Sequence, residues 1–143
     1  PDLIIIDRKL RLKKKLSVMN ITKKRSTYIV TSSTNQKKIS YFKRKKIKIV
    51  KIKRLNSKYD FKELFEKIFL IGKRRILIET GLTFLNELIR HNLINTLYVF
   101  KAGKSLKKNG FNKIRLNSLK NYSLKNEIRV NLKDDSLFKI KVK

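Results

Sequence analysis

At 143 residues, with 41% hydrophobic and 34% charged side chains, the chain is long enough for one domain with its own core and has the balance of a globular protein, which excludes a disordered tail. Its 39 Lys plus Arg against 10 Asp plus Glu give a net charge of +29, which attracts polyanions and raises nucleic acid as a partner. The absence of cysteine excludes disulfides, a thiolate nucleophile and Cys-based metal sites, and the single His91 cannot build a metal cluster alone.

The lysines run from end to end instead of gathering on one face among aromatics, as a nucleic-acid surface requires. Lys, Ile and Asn are abundant, Trp is absent and Pro occurs once, a combination that reads as adenine- and thymine-rich coding laid over an ordinary fold. No specific nucleic acid is therefore expected. No apolar run approaches the roughly 18 residues of a membrane span. The opening PDLIIIDRKLRLKKK places its charges after the apolar run, the reverse of a signal peptide. These features predict a cytoplasmic protein without a membrane partner.

Leu3 to Ile6 are four consecutive aliphatics between Asp2 and Asp7, the pattern of a strand buried on both faces, with Asp7-Arg8 at its carboxyl end. Lys9 to Arg25 reads as a long surface connection. Thr27 to Thr31, TYIVT, is β-branched and aromatic enough for a second strand. Ser32, Ser33, Thr34 and Asn35 follow as turn and N-cap formers. Ile39 and Phe42 predict a short amphipathic helix ahead of the basic run Lys43 to Lys46, which is either a solvated helix end or a nucleic-acid contact.

Ile47 to Ile52 predicts a third strand with lysines alternating outward. Asp60 is placed to cap a helix over Phe61 to Ile71, whose core face is Phe61, Leu64, Phe65, Ile68 and Phe69, and Gly72 ends it. Arg75 to Ile78 reads as a buried strand, and Leu82, Phe84, Leu85, Leu88 and Ile89 recur at helical spacing after it. Between them lies Glu79-Thr80-Gly81. This is either an ordinary β-turn-α connection or a ligand edge, where a helix start favours phosphate and the carboxylate suits a hydroxyl-bearing ligand. Thr96 to Phe100 is a further buried strand, Lys101 to Gly110 a loop, and Phe111 to Leu116 a short extended segment. Glu127 to Leu132 and Leu137 to Val142 predict an antiparallel hairpin turning at Lys133 to Ser136. Alternating strands and helices argue for a mainly parallel α/β sheet, read as a single domain over residues 1–143.

This order, with the strings PDLIIIDRKLRL at Pro1 to Leu12, ILIETGLTFL at Ile76 to Leu85 and NLINTLYVF at Asn92 to Phe100, resembles the C-terminal reductase domain of the bifunctional riboflavin-biosynthesis deaminase-reductase. The resemblance implies a dihydrofolate-reductase-like fold, a mixed and mainly parallel sheet flanked by helices with a C-terminal antiparallel hairpin. It implies NADPH-dependent reduction of 5-amino-6-(5-phosphoribosylamino)uracil to its ribitylamino form, a phosphorylated pyrimidine substrate and a homodimer. Glu79 is then expected at the substrate, and Gly81, Leu82, Thr83, Phe84 and Leu85 at the cofactor phosphates. Arg8, which stands where the family often carries a small hydroxyl residue, is expected to pair with a phosphate. No catalytic residue and no metal ligand is assigned. The family's opening strand and its Ser-Leu-Asp-Gly string would precede Pro1, so the chain is expected to be the larger, C-terminal part of such a domain. The competing expectations are a basic RNA-binding module and an inactive structural partner of a reductase.

Overall fold

A computed structural model describes residues 1–13, 22, 24–104 and 122–142. Its contacts divide the chain into two compact units, Pro1–Ile76 and Leu77–Lys143. The predicted segment Phe111 to Leu116 and much of the connection after Lys13 lie outside the described residues. Among the described residues no helix is long and apolar enough to cross a membrane.

The first unit is built on three parallel strands, β1 (Leu3–Ile6), β2 (Thr27–Thr31) and β3 (Lys48–Lys51), in the spatial order β1-β2-β3. Register places Ile5 beside Ile29 and Ile29 beside Ile49. All five residues of β2 are buried, because it has a ladder on both edges and a covered surface on both faces. The expectation that β1 is equally buried is corrected. Its first three residues are only half-buried and Ile6 is exposed, since β1 is bonded along one edge alone.

Helix α1 (Gln36–Arg44) starts at Asn35, whose side chain accepts from the Lys38 N–H, and buries Ile39 and Phe42. These join Leu10, Ile29 and Ile47 in one core cluster, with Ile5, Leu12, Tyr41 and Ile49 packed around it. Burying side chains of this size stabilises by about 1.5–3 kcal/mol each, so this cluster is a principal source of the unit's stability.

Helix α2 (Lys58–Leu70) begins three residues earlier than predicted. Ser57 is its N-cap and Asp60 sits at the third helical position, the two forming a capping box. Phe61, Leu64 and Ile68 are buried as expected, whereas Phe69 is 58% exposed, with Arg74 over its ring. Gly72 follows with φ +84°. Its N–H bonds the Phe69 carbonyl at 2.8 Å, and the Lys73 N–H bonds the Ile68 carbonyl at 3.2 Å, a Schellman ending. Lys73 then ion-pairs with Asp2 and lies 5.7 Å from the Tyr28 ring, which Lys48 also faces at 5.1 Å. The hydrogen bond from Lys73 lowers the Asp2 carboxyl pKa and raises its own.

The predicted buried strand at Arg75 to Ile78 does not form. Ile76 is 40% and Leu77 77% exposed, and no described strand bonds to this stretch. An aliphatic run becomes a strand only when a ladder satisfies its N–H and C=O groups.

In the second unit, α3 (Leu82–Arg90) buries Leu88 and Ile89. Strands β4 (Thr96–Lys101), β5 (Glu127–Ile128) and β6 (Ser136–Lys141) form an antiparallel sheet in the order β4-β6-β5. The predicted hairpin is present with a short first strand, Ile128 pairing with Leu137, and it forms a sheet with β4. Leu97 and Ile140 are its buried pair, while Tyr98 and Phe100 face outward, so β4 is buried on one face only.

Candidate functional site

Parallel strands point all their carboxyl ends the same way, so the residues following β1, β2 and β3 share one edge of the first sheet. That edge carries Asp7-Arg8 after β1, Ser32-Ser33 after β2 and Lys51 to Arg54 at the end of β3. In open α/β sheets this is the edge at which ligands bind.

Hydrogen bonds lock the three strand ends together. The Arg8 carbonyl accepts from the Thr31 hydroxyl at 2.9 Å, the Ser32 hydroxyl at 3.0 Å and the Ser32 N–H at 3.1 Å. The Thr31 hydroxyl in turn accepts from the Ser33 N–H at 3.2 Å, and the Ser33 hydroxyl from the Asn35 N–H at 3.3 Å. The Lys51 ammonium donates to the Ser33 carbonyl. The chain is thereby led from β2 into α1, whose first-turn residues Gln36 and Lys37 present N–H groups with no intrahelical acceptor.

The electrostatics of this edge are one-sided. Its two carboxylates are already engaged: Asp7 accepts from the Leu12 N–H at 2.7 Å, and Asp60 accepts from the N–H groups of Asn56 and Ser57, each at 2.9 Å. Arg54 adds an ion pair to Asp60 at 3.3 Å. The bond from the Asn56 N–H, with those from Ser57 and the Arg54 charge, lowers the Asp60 carboxyl to about 2. Meanwhile Arg8, Lys37, Lys51, Lys53 and Arg54 are all exposed. Hydroxyls, helix-start N–H groups and an excess of cations, of which only Arg54 is paired with a carboxylate here, together suit an anionic, phosphorylated ligand. That donor set fits the phosphates of a dinucleotide.

Of the residues singled out from sequence, Arg8 stands on this edge, its Nη1 donating to Asn56 Oδ1 at 2.8 Å. Glu79, Gly81, Leu82, Thr83, Phe84 and Leu85 belong to the second unit. Glu79 and Thr83 are exposed, and Leu82, Phe84 and Leu85 are half-buried. Gly81 is the N-cap of α3 with φ −73°, and no side chain caps the helix start. The N–H groups of Leu82 and Thr83 at the start of α3 thus keep their capacity for a ligand, while the Leu85 N–H bonds the Gly81 carbonyl at 3.2 Å. A carboxylate at Glu79 can accept from hydroxyl or amine hydrogens.

Sequence reasoning missed Ser32, Ser33, Lys51 and Asn56, having read the serines as turn formers. The available signal was the repetition of one pattern, IIIDR and YIVTSS, aliphatic strands each ending in polar residues. A family model described as the RibD C-terminal domain matches residues 1–133. No curated protein matches the chain significantly.

Proposed function

Since the chain belongs to the RibD C-terminal domain family, whose members are dihydrofolate-reductase-like reductases of riboflavin biosynthesis, we propose that it serves the NADPH-dependent reduction of 5-amino-6-(5-phosphoribosylamino)uracil to the ribitylamino form. The observation that carries this reading is the basic, hydroxyl-rich carboxyl edge of β1, β2 and β3, with both of its carboxylates engaged elsewhere. When bound, the nicotinamide supplies the hydride.

The protein's own part is binding and orientation, which can supply several kcal/mol of the barrier by fixing reactants in a productive geometry. Arg8 pairs with a cofactor phosphate, with the hydroxyls of Ser32 and Ser33 beside it on the same edge. The start of α3, Gly81 to Leu85, binds phosphate through the N–H groups of its first residues, since the Leu85 N–H already bonds the Gly81 carbonyl at 3.2 Å, and the Thr83 hydroxyl adds a hydrogen bond. Glu79 orients the ribose-derived hydroxyls or the amine of the phosphorylated pyrimidine. The net charge of +29 favours the arrival of both phosphorylated ligands.

The test is titration of the purified chain with NADPH, followed by addition of the pyrimidine substrate while the absorbance of the reduced nicotinamide is recorded. The reading expects saturable binding and substrate-dependent oxidation. Failure to bind NADPH would overturn it.

A further inference from the structure

We propose that Asn56 is a positioning residue that fixes the Arg8 guanidinium at the carboxyl edge of the first sheet, and that Arg8 so held selects a phosphorylated dinucleotide over its unphosphorylated counterpart. The inference rests on the reductase reading above and extends it to a residue of the loop between β3 and α2.

An exposed arginine carries much rotamer freedom, and binding a ligand ordinarily costs that freedom. Arg8 is held at both ends. Its backbone carbonyl takes bonds from Thr31 and Ser32, and its Nη1 donates to Asn56 Oδ1 at 2.8 Å. Asn56 is held in turn, since its N–H donates to Asp60 Oδ2 at 2.9 Å. Asp60 is only 8% exposed and is bound into the capping box at the start of α2. An unbroken run of contacts thus connects the guanidinium to the rigid start of a helix, across 48 positions of sequence.

The chemistry of the anchor matters as much as its position. Asn56 is a neutral acceptor, so it orients the guanidinium without neutralising it, and it occupies one of five N–H donors. Asp60, the carboxylate that holds the Asn56 backbone, is itself occupied by Arg54 and by backbone N–H groups, and no described carboxylate pairs with the Arg8 guanidinium. Arg8 therefore keeps its full charge and most of its donors for a phosphate, which an arginine fork can engage through two bonds.

The experiment measures dissociation constants of NADPH and NADH for the full chain and for Asn56→Ala, Asn56→Asp and Arg8→Ala. Wild type is expected to prefer NADPH, and Arg8→Ala to lose most of that preference. Asn56→Ala should weaken NADPH by about tenfold, the scale of one charge-assisted contact, and leave NADH unchanged. Asn56→Asp should weaken NADPH at least as much, because it keeps the anchor but supplies a competing charge. The backbone bond to Asp60 survives these substitutions, so unfolding midpoints should stay near wild type. NMR relaxation of the Arg8 Nε–H group provides a ligand-free readout, expected to be ordered in wild type and mobile in Asn56→Ala. If Arg8→Ala abolishes the preference while Asn56→Ala leaves both it and the relaxation unchanged, the positioning role is overturned and the reductase reading stands. If wild type binds neither dinucleotide, both fall together.

Discussion

The fully buried hydroxyl of Thr31 donates to the backbone carbonyl of Arg8 at 2.9 Å and accepts from the backbone N–H of Ser33 at 3.2 Å. One side chain therefore fixes how the chain leaves both β1 and β2, and it sets the edge on which Arg8 and the serines stand. Thr31→Val keeps the shape but removes both bonds. It is expected to cost about 1–3 kcal/mol, because the Ser33 N–H loses its acceptor in a partly buried place. Thr31→Ser should keep the hydroxyl network and lose only the methyl contacts. Denaturant midpoints at an unchanged slope check both, and NADPH affinity should fall in the valine variant alone.

Acid should expose the role of Asp60. Its carboxyl is lowered from 3.8 to about 2 by the Asn56 N–H first, then by Ser57 and Arg54. A carboxylate whose folded pKa lies below its unfolded one adds stability above the unfolded value and loses it as pH falls through the folded value. The contribution is therefore complete above pH 3.8 and vanishes progressively down to about 2. Asp60→Asn should be less stable than wild type at neutral pH, with the difference shrinking across that window. Chemical denaturation at a series of pH values tests this, and a constant difference would contradict it.

Much of the first sheet was legible because its signals are local. TYIVT has the β-branched and aromatic content of a central strand, and all of it is buried. Ile39 and Phe42 lie three apart on a helix and meet the same core. The family, and with it the dihydrofolate-reductase-like fold, could also be recognised from the strings at Pro1 and Ile76. What failed depended on partners. Arg75 to Ile78 has the composition of a strand but no bonded neighbour among the described residues, and composition does not report a ladder. Asp60 competed with Ser57 for the cap, and the Ser-x-x-Asp spacing shows which is first only once the reciprocal bonds are seen. The link from Arg8 to Asn56 spans 48 positions, so it depends on the fold bringing β1's end to the start of α2.

Glu79 is exposed, and no described contact engages its side chain. Its replacement by Ala should therefore change folding stability by less than about 0.5 kcal/mol, the usual range for a surface site. If the carboxylate orients the substrate, hydride transfer should slow by about two orders of magnitude, the penalty of a misplaced reactant. NADPH affinity should not change. Single-turnover oxidation of bound NADPH, measured beside an unfolding curve, separates the two effects. Unchanged transfer would remove Glu79 from the site.

The two glycines that flank Glu79 should behave differently, because only one needs its glycine for the fold. Gly72 ends α2 at φ +84°, a conformation that costs an L side chain about 1–2 kcal/mol even where space is open, as it is here. Gly72→Ala should lower stability by that amount, and the loss should be much smaller for Gly72→Asn, which tolerates the left-handed region. Gly81 has φ −73°, and an added Cβ there would meet nothing within 4 Å. Alanine at this N-cap gives up a modest capping preference but also restricts the unfolded chain, so Gly81→Ala should be nearly neutral to folding. Any weakening of NADPH binding in Gly81→Ala would then come from the new methyl meeting a ligand at the start of α3, since the protein itself leaves that space clear. Unfolding midpoints and NADPH titrations of the two variants should therefore diverge, with Gly72→Ala losing stability and Gly81→Ala losing affinity. Equal affinity for NADPH in wild type and Gly81→Ala would mean that the ligand does not approach this turn closely.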